Sequence, residues 1–155
     1  MFHVVDDEDF VREVVVEMLN EHGYDARSFA CPKDYIDFVD SSDFKNPIAV
    51  FTDVSMPAMS GYEMINIVSK LKQGLKFVVM TGEPEIQSEY MNKACMYLGK
   101  PFSWESFVGV VDSMIRCHAF EPASDHGCTN DQREMFHIED WSCPHKCNDC
   151  PSDSS

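Results

Sequence analysis

Four short apolar runs punctuate the first hundred residues, and each ends on a residue able to do chemistry. Phe2-His3-Val4-Val5 ends in Asp6-Asp7, Ile48-Ala49-Val50-Phe51-Thr52 in Asp53, Phe77-Val78-Val79-Met80 in Thr81-Gly82, and Cys95-Met96-Tyr97-Leu98-Gly99 in Lys100-Pro101. Runs of this length, rich in β-branched and aromatic residues, read as strands buried on both faces. A weaker strand is expected over residues 24–29. Between the runs the spacing turns helical. Phe10, Val11, Val14, Val15, Met18 and Leu19 form one such set, closed by Gly23. Pro32 can open a second helix through Tyr35, Ile36 and Val39, since its missing N–H costs nothing in a first turn. Ser60 can cap a third carrying Met64, Ile65, Val68 and Leu71. A weakly patterned helix is expected over 83–94. Ser103 can cap a last one with Trp104, Phe107, Val108, Val111 and Ile115 on one face. All these apolar residues are read as core.

Strands alternating with helices predict right-handed βαβ units and one parallel sheet covered on both faces, an α/β doubly wound domain of five units. The chemical residues then share one edge, because each follows the carboxyl end of a strand, where open α/β sheets bind ligands. Asp6, Asp7 and Asp53 would be close together, and crowded carboxylates need a cation to stay ionised. An oxygen-rich nest of this kind suits Mg²⁺, which takes a few carboxylates and keeps several waters. One carboxylate can then accept a phosphoryl group, with Lys100 neutralising its oxygens, Thr81 donating a hydrogen bond and Gly82 leaving space. Each of these residues alone is an ordinary turn, cap or surface residue. Their convergence on one edge carries the reading.

Charge removes some alternatives. The 155 residues hold 27 acids and 12 bases, a net charge of −15. Nonspecific nucleic-acid binding needs clustered Lys and Arg, so direct DNA binding is not expected. No apolar run nears the ~18 residues of a membrane helix, and no membrane partner is expected. The first strand begins at residue 2 without a basic and apolar leader, so the chain is read as cytoplasmic.

The last 36 residues differ in kind. Residues 120–155 hold eight acids and two bases, with one short helix expected over 131–141. Five of the seven cysteines fall from Cys117 onward: Cys117, Cys128, Cys143, Cys147 and Cys150. In a reducing compartment such a cluster suggests metal or redox chemistry. Cys143, Cys147 and Cys150 can share one Zn²⁺, with Cys128, His126, His137 or His145 as candidates for the fourth ligand. Free cysteines in a disordered tail and regulatory disulfides are the alternatives. The Cys spacing also resembles the cluster loop of radical SAM enzymes, but nothing else of that barrel is present.

The segments Val4-Val5-Asp6-Asp7-Glu8-Asp9, Thr52-Asp53-Val54-Ser55-Met56-Pro57, Met80-Thr81-Gly82 and Gly99-Lys100-Pro101-Phe102 together resemble the receiver domain of bacterial response regulators. The resemblance spans residues 2 to about 119. It implies a flavodoxin-like (βα)5 fold and phosphotransfer from a sensor histidine kinase or phosphotransfer protein. Carried over residue by residue, it implies that Asp53 is the phosphoacceptor, that Asp6, Asp7, Asp53 and the Ser55 carbonyl hold Mg²⁺, and that Thr81 and Lys100 contact the phosphoryl group. It further implies that Tyr97 is the aromatic switch and that the Lys100-Pro101 bond is cis. Thr81 and Lys100 stand closer in sequence than is usual in that family, so the helix between them must be short or irregular. The tail resembles no output domain. The expected organisation is a receiver over 1–119 and an acidic Cys/His-rich tail over 120–155. The expected function is a stand-alone phosphoacceptor, not an enzyme beyond its own phosphorylation and dephosphorylation, acting through an unknown effector protein. A metal or redox sensor built on the tail and a phosphate sink are the rivals.

Overall fold

In the computed structural model, which describes residues 1–82 and 94–119, five parallel strands form one sheet in the order β2-β1-β3-β4-β5. The strands are β1 (Phe2–Val5), β2 (Ala26–Phe29), β3 (Val50–Asp53), β4 (Phe77–Thr81) and β5 (Met96–Gly99). Four helices are present among the described residues: α1 (Asp9–Glu21), α2 (Pro32–Val39), α3 (Gly61–Leu71) and α4 (Trp104–Ala119). The expected helix over 83–94 lies outside the described residues except for Ala94, which is in neither helix nor strand. The residues from 120 onward, with Cys128, Cys143, Cys147, Cys150 and the expected 131–141 helix, also lie outside them. No described helix is long and apolar enough to cross a membrane.

Every residue of β1, β3 and β4 is buried, as sheet covered on both faces demands. Strand alternation sends successive side chains to opposite layers. Phe2, Val4, Phe51, Val78, Met80 and Leu98 pack with Val15 and Leu19 of α1 and Phe107, Val111 and Met114 of α4. Val5, Val50, Phe77, Val79 and Tyr97 pack with Tyr35 and Val39 of α2 and Tyr62, Met64, Ile65 and Val68 of α3. Burying each large apolar side chain contributes roughly 1.5–3 kcal/mol, so both layers are needed to hold the sheet.

The local signals mostly act as expected. Pro32 is at the first position of α2. Ser60 and Glu63 form a reciprocal capping box on α3. The Ser103 hydroxyl accepts from the Ser106 N–H at 3.1 Å. Gly23, at φ +94°, ends the α1 turn in a conformation that side chains avoid.

Three helix residues read as core are not. Phe10 is 77% exposed, Trp104 44% and Leu71 41%. Each sits at a helix end, where the apolar stripe runs past the sheet it packs on. The reverse occurs at His3, which lies within an apolar strand yet is a buried polar group. Its Nδ1 is hydrogen-bonded to the Tyr35 hydroxyl at 3.0 Å, ringed by Phe29, Phe38 and Phe44.

The carboxyl-edge acidic site

The strand order reverses direction between β1 and β3, and there the two flanking connections leave toward opposite faces. Asp6 and Asp7 follow β1 while Asp53 ends β3, so the reversal opens a crevice between them. Carboxylate oxygens of Asp6, Asp7 and Asp53 all lie within 4.8 Å of one another.

Backbone contacts fix each member. The Asp6 N–H donates to the Phe29 carbonyl at 3.2 Å, and the Glu8 N–H donates to Asp6 Oδ1 at 2.9 Å. Thr52 Oγ1 donates to the Asp53 carbonyl at 3.0 Å. The chain after Asp53 folds back so tightly that a Cβ at Gly61 would lie 2.1 Å from the Asp53 carbonyl oxygen. Only glycine permits that approach, and the Gly61 N–H closes the turn onto the Val54 carbonyl at 2.9 Å.

Lys100 enters from β5. Its Nζ lies 3.0 Å from Asp53 Oδ1 and 3.3 Å from Asp6 Oδ2, and the peptide after it, to Pro101, is cis. Burial pulls the ammonium toward its neutral form, but the hydrogen bond to Asp53 and the charges of Asp53 and Asp6 outweigh it and leave Lys100 above its ordinary range. Burial pushes the Asp6 carboxyl up, against the Glu8 N–H and Lys100, which favour the anion. One ammonium thus faces three carboxylates, leaving about two negative charges unmatched.

The remaining edge residues surround this group. Thr81 ends β4 opposite Gly99, is buried, and accepts the Lys100 N–H on its carbonyl at 2.7 Å. Among the described residues, a Cβ at Gly82 would meet nothing within 4 Å. Ser55 lies exposed in the turn after Asp53. Tyr97 is fully buried in β5, opposite Val79 and hydrogen-bonded to Tyr62.

The donor set fits Mg²⁺. It is all oxygen, it carries the charge a divalent cation cancels, and Asp7 Oδ1 is buried with no hydrogen-bond partner among the described residues. Sequence reasoning missed two supports, Gly61 and Arg12. A glycine directly after a capping serine was the available signal for the first. For the second it was the Asp9–Arg12 spacing, which places both on one helix face.

Comparison with known proteins agrees with this geometry. The family model of the response regulator receiver domain matches residues 2–112. The transcriptional regulatory protein FixJ of Rhizobium meliloti (strain 1021) is 31% identical over 127 residues, covering 80% of this chain and 56% of FixJ. The chain therefore spans about half the length of that relative. A crystal structure of FixJ-N superposes with a TM-score of 0.63 at 28% identity, covering 72% of this chain and 89% of that one. The response regulator protein TrrA from Thermotoga maritima, in complex with Mg²⁺ and beryllofluoride, gives 0.61 at 26% identity, covering 73% and 96%. Receiver domains are phosphoacceptors that bind Mg²⁺ at an acidic pocket. With the strand order, the acidic crevice and the family match in agreement, the chain belongs to the response regulator receiver domains of two-component signalling.

Proposed function

We propose that this chain accepts a phosphoryl group on Asp53 from a histidine kinase or phosphotransfer protein and passes the signal to an effector protein through a change of shape. The observation that carries the reading is Lys100 bridging Asp6 and Asp53 beside an unpartnered Asp7 oxygen. That arrangement carries about two negative charges in excess, and a Cβ at Gly82 would meet nothing within 4 Å among the described residues.

Asp6, Asp7, Asp53 and the Ser55 carbonyl would hold Mg²⁺. When bound, Mg²⁺ supplies the charge that lets an anionic phosphoryl group approach three carboxylates. An Asp53 carboxylate oxygen attacks phosphorus. The new P–O bond forms as the P–N bond of the donor phosphohistidine breaks, and the departing imidazole nitrogen keeps the electron pair and takes a proton from solvent. Lys100 remains an ammonium throughout, since its two carboxylate partners hold its proton. It then follows the negative charge from Asp53 to the phosphoryl oxygens, and the Thr81 hydroxyl donates to another of them. Motion of Thr81 and Lys100 changes the packing at Tyr97, whose ring is buried one strand position from Leu98. With a net charge of −15 the readout is a protein surface rather than nucleic acid. Residues 1–119 make up the phosphoaccepting unit, with 120–155 a separate segment.

The test is the mass of the protein after incubation with Mg²⁺ and a small-molecule phosphodonor. The parent gains one phosphoryl group and Asp53→Ala gains none. A full mass gain in Asp53→Ala overturns the assignment.

A further inference from the structure

Two of the three carboxylates are held by their own hydrogen bonds, and the third is not. Asp6 accepts from the Glu8 N–H and from Lys100, and Asp53 from Lys100. The Oδ1 of Asp7 is buried with no partner among the described residues. Its aim must come from its backbone.

That backbone is pinned by a side chain from the next helix. Arg12 Nη1 donates to the main-chain carbonyl of Asp6 at 2.8 Å. This carbonyl belongs to the peptide that joins Asp6 to Asp7, so holding it sets the plane from which the Asp7 side chain departs. The Asp6 N–H on the other side is tied to Phe29 of β2. The same guanidinium pairs through Nη2 with Asp9 Oδ1, and the Arg12 side chain is only 16% exposed. The Asp9 carboxylate offsets its charge, so the pin need not repel a cation in the crevice.

We infer that Arg12 is a positioning residue for Mg²⁺, aiming Asp7 through the Asp6–Asp7 peptide and thereby setting how readily Asp53 is phosphorylated at limiting Mg²⁺. This rests on the Mg²⁺-dependent phosphoacceptor reading and adds a residue outside the group that would touch metal or phosphoryl. Geometry and charge predict opposite signs. Removing a cation near the crevice strengthens Mg²⁺ binding if charge alone matters. Removing the pin weakens it, because groups that orient metal ligands typically account for about 10-fold or more in affinity.

The experiment titrates the full chain with Mg²⁺ and follows the Glu8 amide shift by NMR, in the parent, Arg12→Met and Arg12→Lys. Arg12→Met is expected to bind about tenfold more weakly, and Arg12→Lys, which keeps one donor, to fall between. Phosphorylation from a small donor should recover to the parent rate at saturating Mg²⁺, separating ligand aim from chemistry. Equal or tighter binding in Arg12→Met, with amide dispersion showing it folded, overturns the inference. If Arg12→Met does not fold, parent-like affinity in Arg12→Lys does so. A parent that binds no Mg²⁺ overturns the phosphoacceptor reading itself, whereas a binding parent with unchanged variants overturns only the role of Arg12.

Discussion

Strand β1 buries two sets of polar groups three residues apart, and they meet burial in opposite ways. His3 faces the α2–α3 layer and is satisfied there by the Tyr35 hydroxyl. Burial first, then the positive charges of Arg27 and the amino terminus, hold its pKa down to about 4, so it stays neutral. At the end of the same strand Asp6 shares Lys100 with Asp53, and Asp7 Oδ1 is left with no partner among the described residues. The first arrangement is closed and contributes stability. The second is open and costs stability until a ligand completes it. The difference teaches that a buried polar group signals function when its partners fall short, not merely when it is buried.

The largest expected effect is on the closed side. The folded state keeps His3 neutral down to about pH 4, while the unfolded chain takes up its proton near 6.5. The depressed pKa means that this contribution is complete above pH 6.5 and is lost as pH falls toward 4, by up to about 3 kcal/mol at 1.36 kcal/mol per unit. Urea unfolding of metal-free protein at pH 7 and pH 4 measures it. His3→Leu should lose much of that slope, and an unchanged slope would remove His3 from the account. Asp6 acts in the opposite sense. Its raised pKa makes the charged form a cost at neutral pH that acid relieves.

Breaking the pair from its other partner comes next. Tyr35→Phe deprives the buried Nδ1 of its hydrogen bond and should destabilise by about 1–3 kcal/mol, whereas His3→Leu with Tyr35→Phe together should cost less than the sum. Additive costs in that cycle would show that the two side chains do not act as a pair.

The open side responds to ligand instead. Mg²⁺ at ten times its dissociation constant should stabilise the protein by about 1.4 kcal/mol, read as a rise in thermal midpoint. Asp7→Asn should abolish that rise and make the metal-free protein more stable by about 1 kcal/mol, since it removes one of the crowded charges. A less stable metal-free Asp7→Asn would mean that the site is closed after all.

The architecture was legible because its signals are local. Whole strands such as Val50–Asp53 and Phe77–Thr81 are buried on both faces, and such burial writes itself as an uninterrupted apolar run. The end of each run marks the edge, so Asp6, Asp7, Asp53, Thr81 and Lys100 were legible as neighbours before any distance was known. The second strand was less so. Ala26–Phe29 is at the sheet edge with Arg27 and Ser28 exposed, which leaves it no apolar run.

What the sequence by itself determined is therefore the order of the described elements, the two-layer cover of the sheet and the edge that carries the chemistry. Only the tertiary structure decided which groups touch. Lys100 reaches Asp6 across 94 residues and Asp53 across 47, and His3 reaches Tyr35 across 32. Such pairings depend on strand order and on which layer a side chain enters, and no periodicity along the chain encodes a distance between strands. The same reason separates Phe10, exposed at the start of α1, from Leu19, buried on the same helix. Helical spacing names a face, but only the extent of the sheet beneath it determines where that face stops being covered.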